Sequence, residues 1–175
     1  MSSGSILEKV KKLREITGVG FKDCKNAIDE NNGDIEKSVE YLRKKGIAKA
    51  SKRMGRIAAD GLVCISENEN NFSIVEVNSE TDFVAKNEEF VKFVEKISKV
   101  ALQAEGKMEK ILDSKMENNK NVKDNLVSLI SKIGEKISLR RSDFIKSENL
   151  INFSYTHSSI KKNLGKIGVL ISLNS

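Results

Sequence analysis

The chain has no proline and no tryptophan, a single histidine and two cysteines among its 175 residues. Each scarcity excludes something. Cys24 and Cys64 lie far apart and have no CxxC partner. That argues against a disulfide scaffold and a cysteine zinc site, and favours two small buried apolar residues in a reducing compartment. His157 stands alone, so neither a histidine-rich metal site nor a His–His acid/base pair can form. No apolar run approaches the ~20 residues that a membrane helix needs, and MSSGSILEKV lacks the basic-then-apolar layout of a signal peptide. Its SSGS stretch reads as a flexible start that carries no fold information. The lack of proline beside abundant Lys, Asn and Ile fits a composition-biased genome rather than a physical requirement.

Catalytic signatures are also missing. No GxxxxGK[ST] occurs, no GxGxxG follows a strand, and there is no GxSxG elbow. No nucleophile is paired with a plausible base. Gly18 and Gly20 spell GxG, but a turn between two short helices explains them better than phosphate binding. Glu88 and Glu89 read as helix-start residues rather than an acid/base pair. The chain is therefore expected to be no enzyme, to use no cofactor or metal, and to act by binding or regulation.

What is present begins with size and charge. The chain is 38% apolar and 32% charged, enough for one ordinary domain or two small ones. The net charge is +6, and the excess is local: RKKGIAKASKRMGR, residues 43–56, holds seven basic side chains and no acidic one. Such a run can meet phosphates or an acidic partner, or it can be a solvated helix face or linker.

Periodicity gives the architecture. Ile6, Leu7, Val10 and Leu13 predict a first helix that stops near TGVG (17–20). Cys24, Ala27 and Ile28 predict a second, ending at NNG (31–33) with Gly33 at its C-terminal cap. Asp34 is expected to cap a third, with Ile35, Val39 and Leu42 on one face and an end before Gly46. So small a module has no room for a cleft and suits docking. A basic, partly helical connector follows. LVCIS (62–66) and FSIVEVN (72–78), separated by ENENN (67–71), predict a hairpin. Asn87 is expected to cap a helix striped with Phe90, Val91, Val94, Ile97, Ala101 and Leu102. A polar loop or frayed short helix spans 105–121. A second amphipathic helix carries Leu126, Leu129, Ile130, Ile133 and Ile137. Then come a strand around 138–146, a turn at Glu148–Asn149, and a strand in which Ile151, Phe153 and Tyr155 alternate with polar residues. GKIGVLISL (165–173) is expected to be a central strand or one covered by a partner. The fold class is α+β: a three-helix module (1–46), a basic connector (47–60) and a core domain with an antiparallel sheet and two main helices (61–175).

SETDFVAKNEEF (79–90) poses the functional question, because it sets Phe83 beside Asp82 on a polar turn. Phe83 either staples the start of the following helix or serves as an exposed anchor.

Several stretches together resemble the translation elongation factor Ts family. They are TGVGFKDCKNAI (17–28), NGDIEKSVEYLRKKGIAKA (32–50), RIAADGLV (56–63), EVNSETDFVAKNEEF (76–90), IGEKISLRR (133–141) and the SYTH…GKIGVLISL ending (154–173). Members are guanine-nucleotide exchange factors for the GTPase elongation factor Tu. The resemblance implies a ubiquitin-associated-like N-terminal module that docks on the partner's GTP-binding domain. It further implies that Thr81, Asp82, Phe83 and Val84 reach that domain near its magnesium and phosphate site. Val19, Gly20 and Phe21 would lie on the module's contact loop, although Phe21 could instead be core. Phe21 stands where the family usually has methionine, and Ser79 where it has cysteine. His157 matches the family's Tyr-x-His, with either a partner contact or a structural hydrogen bond as its role. Lys52, Arg53 and Arg56 would steer towards an acidic surface, whereas Arg140 and Arg141 would be structural. SSIKKNL (158–164) is longer and more basic than the family's link. Long members carry a further subdomain and a coiled-coil hairpin. Short ones lack both and form homodimers, so a homodimer through the α+β domain is expected, in a bacterial cytoplasm or an organelle of bacterial descent.

The competing expectation is a basic RNA- or ribosome-binding protein, supported by 43–56 but lacking an aromatic-clustered RNA-recognition motif. A ubiquitin-type adaptor would leave 61–175 unexplained.

Overall fold

The computed structural model describes residues 5–69, 71–146 and 150–174. The turn expected at Glu148–Asn149 lies outside the described residues, as do Ser2–Gly4 of the SSGS start. Ser5 is described, and it is not an uninformative lead. Its side chain caps α1 (Ile6–Thr17) by accepting from Glu8 N, while the Glu8 carboxylate accepts from Ser5 N. This reciprocal capping box satisfies two helix-end donors.

Gly18, at φ +66, ends α1 in the left-handed region that glycine enters without steric penalty. α2 (Phe21–Glu30) and α3 (Ile35–Arg53) follow, the latter capped by Asp34 as expected. Val10, Leu13, Cys24, Ala27, Ile28 and Leu42 form the module's core. The expected stop before Gly46 is wrong, because α3 runs unbroken to Arg53. Gly46 is buried, and a Cβ there would come within 3.3 Å of Ser131 Oγ on α7 (Val122–Ile133). The glycine permits close helix–helix approach and does not terminate the helix. The "connector" thus begins as the last two turns of α3, and its Ala50 enters the second core.

That second core fills one face of an antiparallel sheet ordered β3-β2-β1-β5. β1 (Asp60–Asn68) and β2 (Asn71–Ser79) make the expected hairpin, with Cys64 opposite Val75. β3 (Ile137–Lys146) pairs with β2, and the short β5 (Leu164–Gly165) pairs with β1. α5 (Glu88–Gln103) lies across the sheet with Phe90, Val91, Val94, Ile97 and Ala101 buried; Phe93 joins them, and Leu102 is only partly covered. α6 (Met108–Asp113) is the short helix of the polar segment. Ile137 belongs to β3 rather than to α7, since Gly134 at φ +90 caps α7 first. Both cysteines are free and buried, and burial raises both thiols above their ordinary value.

The last strand is not central. β6 (Ile167–Asn174) pairs only with β4 (Leu150–His157), as a separate two-stranded ribbon. One face of the ribbon lies on the sheet, where a Cβ at Gly168 would be 2.7 Å from Val63 Cγ1 and 3.0 Å from Ile74 Cδ1. The other face carries Ile151, Phe153 and Tyr155 opposite Leu173, Ile171 and Val169, all exposed. Its middle is apolar on both sides because one side covers the sheet and the other is bare. The segment 158–164 returns the chain to β1: Lys161 Nζ meets Glu95 at 3.0 Å and Leu164 is fully buried.

Candidate functional site

The Thr81–Val84 stretch is a single helical turn, α4 (Asp82–Ala85), rather than an open loop. Thr81 is its N-cap, with Oγ1 accepting from Val84 N. In this turn Val84 and Ala85 point into the core, at 6% and 1% exposure, while Phe83 is 79% exposed. Phe83 therefore does not staple the start of α5; the buried Val84 and Ala85 fill that place. The Asp82 carboxylate meets Lys86 Nζ at 2.7 Å on the same exposed surface, and this contact chiefly holds its pKa below the ordinary aspartate range.

Apart from Arg56, the turn is braced by residues that the sequence does not single out, Glu80, Glu135 and Lys136. Thr81 donates twice to Glu135, from N to Oε2 at 3.0 Å and from Oγ1 to Oε1 at 2.8 Å. Glu80 accepts from Lys136 N and from Arg56 Nη1. The Lys136 backbone bond, then Arg56, lowers the Glu80 pKa against the partial cost of desolvation. Lys136 Nζ in turn donates to Met54 O at 2.7 Å and Arg56 O at 2.8 Å, tying the end of α3 to the same point. IGEKISLRR contained Glu135 and Lys136, but nothing in the local pattern marks a carboxylate whose partner is 54 residues away.

Other candidate residues cluster around this point to differing degrees. Arg56 joins it directly. Arg53 Nη1 instead donates to Ile130 O and fastens α3 to α7, while Lys52 is exposed on α3. His157 ends β4, and its carbonyl accepts from Lys166 N; Lys166 Nζ reaches Asp60 at 3.0 Å, and its charge also acts on Asp82. His157 Nδ1 lies 3.0 Å from Tyr155 Oη, so a structural bond is present and the ring remains exposed. Val19, Gly20 and Phe21 are on the α1–α2 loop, with Phe21 45% exposed and hence not core. This loop sits by α7, since a Cβ at Gly18 would be 2.9 Å from Lys132 Nζ, and Lys132 bonds Glu89 in the first turn of α5. Arg140 and Arg141 both reach Glu76, because a bulge at Glu76/Val77 sets two residues against one. Among the described residues no cluster of His, Cys, Asp or Glu could hold a metal ion, and no helix is long and apolar enough to cross a membrane.

Fold and site together define an α+β chain that presents a bare aromatic on a braced turn, the form of a contact anchor. A family model described as "Elongation factor TS" matches residues 80–175, starting at Glu80 beside that turn. Elongation factor Ts of Methylobacterium nodulans is 49% identical over 167 residues, covering 95% of this chain and 54% of the relative. Those of Methylorubrum populi and Parvibaculum lavamentivorans are each 46% identical, covering 95% of this chain and 55% and 54% of theirs. The chain belongs to the elongation factor Ts family. It spans about half the length of the curated relatives it matches.

Proposed function

We propose that the protein is a guanine-nucleotide exchange factor that binds elongation factor Tu and promotes GDP release, with Thr81–Val84 entering near the magnesium and phosphate site. The observation that carries this reading is the 79% exposure of Phe83 on a turn whose neighbours are buried and hydrogen-bonded. Phe83 wedges into an apolar slot of the GTPase, bringing a large apolar surface at low rotamer-entropy cost. Asp82, which needs only to leave an exposed lysine, competes for polar contacts near the magnesium. Bound GDP depends on the phosphate loop and on Mg²⁺ bridging its oxygens, so disturbing both releases it without breaking a bond. Factor and nucleotide weaken each other reciprocally, and the excess of GTP sets direction. The protein is not an enzyme in the bond-making sense and uses no cofactor.

Residues 1–46 serve as a ubiquitin-associated-like docking module that offers Val19, Gly20 and Phe21. Lys52 and Arg56 steer the approach, and His157 adds a contact at the ribbon's end. The bare ribbon face, with Phe153 opposite Ile171 and Ile151 opposite Leu173, pairs with a second copy to form a homodimer. A bacterial cytoplasm is the setting.

The RNA-binding alternative loses support from the basic run itself. Six of its seven cationic side chains are partly neutralised by acidic or carbonyl partners, several of them at the surface, so the run carries less net positive charge than its composition suggests; Lys52 has no such partner among the described residues. The test is stopped-flow release of a fluorescent GDP analogue from elongation factor Tu. Fast release by wild type, and a large loss in Asp82→Ala/Phe83→Ala that still binds, is the expected result. No acceleration by wild type refutes exchange for this partner.

A further inference from the structure

We propose that Glu80 and Glu135 form a reciprocal clasp that fixes the angle at which Phe83 is presented, and that Glu135 is its principal positioning residue; this rests on the exchange reading above. The geometry is a mutual exchange. Glu80 precedes Thr81 and accepts the backbone N–H of Lys136; Glu135 precedes Lys136 and accepts the backbone N–H of Thr81. Each carboxylate thus holds the residue next to the other carboxylate. Two segments far apart in the chain are locked as if they were paired strand ends.

The clasp acts on the residue that leads into the turn. α4 has four residues, too few to hold a helical conformation by itself. Its direction comes from Thr81, its N-cap, together with the burial of Val84 and Ala85 in the core. Glu135 accepts a hydrogen bond from the Thr81 hydroxyl at 2.8 Å, which leaves a lone pair of that oxygen facing Val84 N. The second carboxylate oxygen takes the Thr81 N–H, so hydroxyl and backbone are held by one bidentate group. Ser79 Oγ donates to Thr81 O at 3.0 Å and restrains the remaining backbone group. Its cap is thus held on three sides, and Val84 and Ala85 are buried behind it.

Two carboxylates held to one junction would repel without cations. Arg56 meets Glu80, and Lys136 lies between the clasp and the end of α3, bonding Met54 O and Arg56 O. The clasp therefore also ties the turn to the helix that ends the three-helix module. An anchor of fixed direction spends none of its contact free energy on ordering itself, and a misplacement of about 1 Å in such a site can cost on the order of a hundredfold in rate.

The experiment measures release of a fluorescent GDP analogue from elongation factor Tu over a range of exchange-factor concentrations, so that maximal rate and affinity separate. Glu135→Ala and Glu135→Gln are compared, each with and without Phe83→Ala. Loss of two charge-assisted bonds is expected to lower the maximal rate about tenfold, with a much smaller change in affinity. Glu135→Gln, whose amide oxygen still accepts the Thr81 N–H, retains most of the rate. On the Phe83→Ala background Glu135→Ala has a much smaller further effect, limited to what Asp82 on the same turn contributes, because the clasp works mainly through Phe83. An unchanged maximal rate in Glu135→Ala, or a full additional loss on the Phe83→Ala background, overturns the proposal. Should Glu135→Ala not fold, Thr81→Ala with rescue by Thr81→Ser carries the same comparison. If wild type does not accelerate release, the exchange reading has failed. The clasp is then judged by amide hydrogen exchange across 81–85. Loss of protection in Glu135→Ala supports it, and equal protection overturns it.

Discussion

Phe83 and Phe90 are seven positions apart and opposite in environment, at 79% and 0% exposure. Truncating each to alanine should separate presentation from packing. A phenylalanine can bury roughly 150–250 Å², of which Phe83 covers only about a fifth. At about 25 cal/mol per Å² that is on the order of 1 kcal/mol at most, or a fall of roughly 3 °C in Tm for a chain of this size. Phe90→Ala leaves a cavity in the second core and should cost about 3–5 kcal/mol, a fall of roughly 10 °C. Function should rank the other way. Truncating an interface anchor costs about 2–4 kcal/mol, which is roughly 30- to 900-fold in the rate of GDP release. The assays are urea unfolding followed by circular dichroism, and nucleotide release at equal folded concentration. A Phe83→Ala variant destabilised by more than about 2 kcal/mol would show that Phe83 packs inward. One that exchanges within threefold of wild type would show that the bare ring is not the wedge. Either result refutes the reasoning.

Gly61→Ala should be severely destabilising, by about 3 kcal/mol or more in urea unfolding, because a Cβ there would lie 2.1 Å from Val77 O at φ +138. A shift within 0.5 kcal/mol, roughly the scatter of neutral surface changes, would contradict the strand geometry. Glu80 has its pKa lowered by folding, so its contribution is complete above the ordinary glutamate value of ~4.3 and is lost as pH falls through the folded value. The urea midpoints of wild type and Glu80→Gln should therefore differ at neutral pH and converge in acid; a constant gap would refute that linkage. Phe153→Asp and Ile171→Lys, on the bare ribbon face, should each convert a homodimer to a monomer by light scattering with little change in Tm, whereas a wild-type mass of one chain would remove the dimer.

Much of what a residue imposes on its near neighbours could be read from the chain, although the Ser5 capping box and the Gly134 cap were not. Asp34 and Asn87 cap the helices expected of them. Gly18 and Gly33 turn the chain through positive φ, and alternation marked the two hairpin strands and the apolar spacing of β4, although the ladder runs further, to Asn68 opposite Asn71, than the expected ENENN separator allows. The motif around Phe83 was legible too, since it is a run of adjacent residues. Tertiary structure alone decided the rest. Gly46 has the same letter as a helix stop, and only the approach of Ser131 makes it a packing site inside α3. Phe83 could have stapled α5, and it was the burial of Val84 and Ala85 that left it bare. Ile137 fits a helical stripe until Gly134 ends the helix, and β6 looks central until the ribbon's two faces find different surroundings. Glu80 and Glu135 are ordinary surface residues in sequence, and become a clasp only where folding brings Thr81 to Lys136. Caps, turns and strand alternation are set by interactions within about four residues, which sequence preserves. Periodicity marks which face of an element is apolar, but which distant segments cover it, and which long-range hydrogen bonds then form, is encoded in no local pattern.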